Sequence, residues 1–141
     1  MQLTQLSKWT LICGTLLIWA IKFLIRPFVH IPRELKPLVG IAPNLIGSFL
    51  LPFGACWLLQ KYVKMRTVAE LNFFCGLGLL LVVINEYIQL IPVFGRTFDY
   101  LDIVSSVIGV LLGRFVFMRY LIAATSLQKS DQPQPFNNSA I

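Results

Sequence analysis

Only six side chains in this sequence are acidic, and three of them, Glu86, Asp99 and Asp102, fall between positions 86 and 102. Asn85, Gln89 and Arg96 share the same stretch. Residues of these types support three kinds of chemistry. Carboxylates hold a hard divalent cation through oxygen ligands. Glu86 with either aspartate serves as an acid/base pair if partial burial separates their protonation. Arg96 clamps a phosphate or carboxylate with paired N–H donors. A structural reading competes with all three: Arg96 neutralises an aspartate, Glu86 pairs locally, and Asp99 and Asp102 cap the start of a helix. Elsewhere the reactive types are scattered. His30 stands alone among prolines, and Cys13, Cys56 and Cys75 lie in apolar runs without CxxC spacing, which gives neither a disulfide framework nor a zinc site. No phosphate-binding glycine loop, nucleophile elbow or HExxH motif occurs, so neither metal nor cofactor is expected.

The elements that must position these groups follow from composition. Hydrophobic residues make up 57% of the 141 and charged ones only 13%. A soluble domain has about a quarter of its residues charged, so lipid must solvate much of this chain. The fold class expected is all-α, a polytopic bundle of about four transmembrane helices. The first apolar run is Trp9 to Ile21, continuing around Lys22. From Arg26 to Pro43, four prolines read as a loop at the membrane surface. The second run, Asn44 to Leu59, is interrupted by Pro52-Phe53-Gly54 and reads as a kinked span. Leu71 to Leu90 is about 20 residues, enough for a hydrocarbon core of about 30 Å. The fourth run is Leu101 to Ile122. Residues 1–124 thus form the membrane domain, and 125–141 a polar tail expected to be disordered.

Helical geometry sharpens the cluster. Glu86 and Gln89 lie about 60° apart at the end of the third span, and Asp99, Asp102, Ser106, Gly109 and Gly113 fall within roughly 80° on the fourth. A compact polar pocket of Glu86, Gln89, Arg96, Asp99, Asp102 and Ser106 at one membrane face is the expectation. Ser105, Gly109 and Gly113 make a small-xxx-small stripe that lets another helix approach closely. It serves packing within the chain or association with a membrane-protein partner or a second copy.

The net charge of +6 is spread as single and paired cations between apolar runs, a pattern of topology signals and lipid contacts that excludes nucleic acid as a partner. With four spans, Lys8, Lys61, Lys64, Arg66, Arg114, Arg119 and Lys129 lie on the side of the termini. Lys22, Arg26, Arg33, Lys36 and Arg96 lie on the other side. Seven against five places the termini in the cytoplasm and the polar cluster outside.

The stretch Asn85-Glu86-Tyr87-Ile88-Gln89, the turn Gly95-Arg96-Thr97-Phe98-Asp99-Tyr100-Leu101-Asp102 and the helix carrying Ser106, Gly109 and Gly113 resemble the signature of the VanZ-like membrane protein family. Asn44 followed by Pro52-Phe53-Gly54 resembles that family's second span. Ser106 stands where the family usually has asparagine, keeping a hydroxyl and losing an amide. The resemblance covers roughly residues 38–113 and implies a multi-span protein of the bacterial cell envelope. The family's founding member is associated with resistance to the glycopeptide teicoplanin. A cell-wall or lipid head-group ligand at the pocket is the leading expectation. The rivals are a membrane enzyme acting on a phospho-linked envelope lipid and a non-catalytic assembly component.

Overall fold

A computed structural model describes residues 3–62, 65, 67–88 and 99–130. The described residues form an all-helical bundle with no strand, containing four helices long and apolar enough to cross a membrane: Leu3–Phe28, Lys36–Leu58, Val68–Ile88 and Tyr100–Ala123. Many large apolar side chains face outward along these helices, among them Leu16, Phe73, Leu80 and Leu111. In water such surface would be untenable, but hydrocarbon solvates it.

The sequence places the spans correctly and misplaces several of their ends. The first helix does not stop near Ile25. It widens into a π-helical turn at Ile21–Ile25, where the Arg26 N–H donates to the Ile21 carbonyl, and continues to Phe28. The expected loop from Arg26 to Pro43 shrinks to a short turn, because the second helix begins at Lys36 with Pro37 in its first turn. Proline is tolerated there, since its missing N–H would have no intrahelical partner anyway. Pro43 lies inside that helix. The expected kink is present: Lys36–Phe49 ends at Leu50 and Leu51–Leu58 follows, with Pro52 in the new first turn. Pro52 has no N–H for the carbonyl of Ser48, which accounts for the break.

The third helix opens with a reciprocal cap. The Thr67 N–H donates to Glu70 Oε2 at 3.0 Å, and the Glu70 N–H donates to Thr67 Oγ1 at 3.2 Å. The fourth helix runs to Ser130, past the boundary expected at 124. Thr125 to Ser130 contains neither glycine nor proline, so nothing in the sequence interrupts the i→i−4 ladder at the membrane edge.

Packing is up-down-up-down. Gly14 of the first helix meets Leu50 of the second, while Ile18 approaches Gly47, so these two run antiparallel. The second and fourth helices run parallel in register and make the closest interface. A Cβ on Gly109 would collide with the Leu45 carbonyl oxygen and lie 3.0 Å from Ser48 Cβ; one on Gly113 would collide with the Phe49 carbonyl. Below them Phe53 and Phe117, both essentially fully buried, meet edge to face at 5.4 Å. Phe53, Cys56, Leu71, Cys75, Val110, Phe117 and Leu121 make the core. Arg114 of the fourth helix donates from Nε to Asn72 Oδ1 of the third at 2.7 Å, which gives a charged group within an apolar span a fixed partner.

Because backbone rather than a flexible side chain faces Gly109 and Gly113, the second helix cannot yield to an added methyl. Gly109→Ala and Gly113→Ala are each expected to destabilise the bundle by about 1–3 kcal/mol. Gly40→Ala, with nothing within 4 Å of the new Cβ, should leave stability unchanged or raise it slightly. Reversible unfolding in mixed micelles measures the difference, and equal stability of all three variants would refute the close packing.

Candidate functional site

Three helices build one cleft, a mainly apolar wall of Leu51, Gly78, Leu81 and Val82 carrying a cluster of polar side chains. The second contributes Pro43, Asn44, Gly47 and Ser48; the third contributes Asn85 and Glu86; the fourth contributes Ser106. Its volume is about 310 Å³, at the lower end of small-molecule pockets, which run from about 300 to 1,000 Å³. The close approach at Gly109 forms one side of it, since Ser48 lies against Gly109 and Ser106 sits one turn earlier on the same helix. At a rise of about 1.5 Å per residue, Ser106 lies about 9 Å and Asn44 about 12 Å from the start of its helix. Glu86 lies two residues from the end of the third helix. Leu51 and Gly78 line it as well, about 22 Å and 15 Å from the same ends of their helices, so the cleft runs from the helix ends at Glu86 toward the middle of the bundle.

Burial is uneven within it. Glu86 is 4% exposed, Ser48 4% and Ser106 2%, whereas Asn44 is half-buried and Asn85 exposed. A buried carboxyl carries a large desolvation cost, and hydrogen bonding must offset it. An ionised carboxylate only accepts hydrogen bonds, while the amides and hydroxyls around it both donate and accept. Chemically, the cleft suits a group that donates: an amine, an amide or a hydroxyl.

Of the residues expected in one pocket, the structure brings Glu86 and Ser106 together. Gln89 and Arg96 lie outside the described residues. Asp99 and Asp102 do not line the cleft. Asp99 is exposed and its Oδ1 accepts the Leu101 N–H at 2.9 Å, while its carbonyl accepts the Asp102 N–H at 3.1 Å, so it caps the fourth helix. Asp102 lies in the first turn, half-exposed, where a carboxylate complements the helix dipole. The Asp102 carbonyl accepts the Ser105 hydroxyl at 3.0 Å. The two aspartates thus miss the expected pocket for a geometric reason. They sit in and before the first turn of the fourth helix, and the cleft opens a full turn further on, at Ser106. Among the described residues, no three His, Cys, Asp or Glu side chains are grouped to hold a metal ion.

Pro43, Gly47 and Ser48 join the cleft because the second helix begins at Lys36 and carries Pro43 inside it, where the density of prolines suggests a loop ending at Pro43. The signal was present: Asn44, Gly47 and Ser48 stand at i, i+3 and i+4, a small polar face on one helix. No family model, curated protein or solved structure matches the chain.

Pro43 has a second consequence. Lacking an N–H, it leaves the Val39 carbonyl without its i+4 donor. Arg26 of the first helix supplies one, its Nη2 donating to Val39 O at 3.0 Å and to Gly40 O at 2.8 Å. In Pro43→Ala the N–H returns and the arginine is partly redundant. Arg26→Ala is expected to cost about 1.5–3 kcal/mol in the native background and clearly less in the Pro43→Ala background. A double-mutant cycle on thermal unfolding reads this coupling, and additive effects would show that Arg26 does not serve the proline-freed carbonyl.

Proposed function

We propose that this chain is a VanZ-like integral membrane protein of the bacterial cell envelope, and that its Glu86 cleft receives an amine-, amide- or hydroxyl-bearing lipid head group or cell-wall fragment. One observation carries the reading: a carboxyl 4% exposed lines a cleft at the head-group level among two asparagines and two serines. Burying a carboxyl at this position gives no packing advantage that glutamine or leucine would not give more cheaply. Four apolar helices support multi-pass membrane residence. The resemblance of residues 85–113 to the VanZ-like signature supplies the envelope setting.

Phosphatidylethanolamine, whose head group presents an ammonium, is the probe for this cleft. Glu86→Gln keeps the side-chain shape and removes the charge. It is expected to weaken binding of that lipid about ten-fold, the scale of one hydrogen bond to a charged group, at unchanged membrane abundance. Native mass spectrometry of the purified chain measures retention. Undiminished binding would remove the reading, and an equal loss of abundance would make Glu86 a folding residue instead.

The positive-inside count supports termini in the cytoplasm and a cleft that opens outward. In cells whose chain has Cys13, Cys56 and Cys75 replaced, a membrane-impermeant maleimide should label Asp99→Cys and leave Lys61→Cys unlabelled. Both positions are exposed, at opposite ends of the bundle. The reverse pattern would turn the cleft toward the cytoplasm and exclude a cell-wall ligand.

A further inference from the structure

A second cleft lies at the same end of the bundle, between the first and second helices. It measures about 520 Å³, and Arg26, His30 and Lys36 line it with no acidic residue among its lining. We infer that this cleft is an oxyanion site that binds the phosphate of an anionic phospholipid head group. It is separate from the Glu86 cleft and independent of the function proposed for it.

Three features of the chain support this. Arg26 is held in place: its Nη2 is fixed on the Val39 and Gly40 carbonyls. Guanidinium has five N–H donors, so the Nε and Nη1 hydrogens remain for a ligand, and no other hydrogen bond of Arg26 is formed among the described residues. An anchored arginine has lost its conformational freedom before binding, which is the general route to tighter binding of a small anion. Lys36 approaches from the start of the second helix and His30 from the connecting turn, so two cations and an imidazole converge from separate elements. Their depth is right as well. The first span ends at Phe28 and the second begins at Lys36. Trp19 and Phe23, ring to ring at 5.0 Å, and the exposed Phe28 mark the apolar side of that boundary. Phosphate groups of a bilayer lie just beyond it. Val29, Ile31 and Val39 complete the cleft with apolar surface, suited to the glycerol and upper acyl region behind a head group.

The same chemistry admits free phosphate, and the experiment separates the sources. The full chain is reconstituted in nanodiscs of phosphatidylcholine, with or without phosphatidylglycerol. Inorganic phosphate is titrated into discs lacking the anionic lipid. Lys36→Gln removes a charge from the cleft, and the pair His30→Gln with Lys36→Gln removes the imidazole as well; both residues are exposed and form no side-chain hydrogen bond among the described residues. Lys8→Gln, exposed at the other end of the first helix, removes the same charge elsewhere. Arg26 stays, because it holds backbone. A cation beside the membrane surface contributes about five-fold to anionic-lipid binding. Lys36→Gln is therefore expected to lower phosphatidylglycerol enrichment about five-fold and the pair further, with Lys8→Gln near wild type. If inorganic phosphate alone shows that variant dependence and phosphatidylglycerol is not enriched, the site stands and its source is soluble phosphate. Equal effects of Lys36→Gln and Lys8→Gln, or no effect of the pair, would overturn the site, leaving only diffuse attraction between a basic protein and an anionic bilayer.

Discussion

Contact between Gly109 and Gly113 of the fourth helix and the backbone of residues 45–49 of the second governs the rest of this bundle. In lipid no hydrophobic force drives helices together, since the surrounding tails are as apolar as leucine, and association rests on close packing and hydrogen bonding. Two glycines one turn apart bring the backbones into direct contact. That approach forces Ser48 and Ser106 into burial, orders the edge-to-face pair of Phe53 and Phe117, and leaves the cleft beside Glu86 as the space above the contact. The stripe that sequence reading offered equally to a partner is occupied within the chain by the second helix.

The second helix meets the fourth where its own ladder is interrupted. Pro43 and Pro52 withdraw the N–H donors that Val39 and Ser48 carbonyls would use. In water such carbonyls would be hydrated at small cost, but within a membrane each needs a partner from the protein. For Val39 that partner is Arg26, presented just after a π-helical turn of the first helix. A feature that looks like damage to one helix is thus what ties the first helix, otherwise the least buried of the four, to the others at this end.

Span number, span order and the membrane setting were legible, because they depend on the length of apolar runs, and length is read directly. The kink at Pro52 was legible for the same local reason. Helix ends around Pro27, Pro37 and Pro43 were not. Whether a proline stops a helix depends on whether another element satisfies the freed carbonyl, and Arg26 does so from 13 positions away. Within the polar cluster, Glu86 and Ser106 were found by spacing on their helices. Spacing put Asp99 on the same face as Ser106 but carried no information about the end of the helix, where capping and solvent take the aspartate. Ser48 belongs to the cleft only because the second and fourth helices run parallel in register. Topology rules fix directions across the membrane, but not which two of four helices touch.

At the end of the bundle where both clefts lie, opposite chemistries open at successive heights along one helix. Val39 and Gly40 of the second helix border the cleft of Arg26, His30 and Lys36, while Pro43, Asn44 and Ser48 border that of Glu86. In a shared cleft, at about 4 Å and an effective dielectric near 20, a carboxylate and a guanidinium would attract by about 4 kcal/mol and satisfy each other. The two clefts share no lining residue, and such an attraction falls in inverse proportion to the distance between the groups. Arg114 and Asn72 make a lock between side chains of two helices at the other end, whereas at this end Arg26 donates to the backbone carbonyls that Pro43 unsettles, so the same residue type does a different structural task at each end.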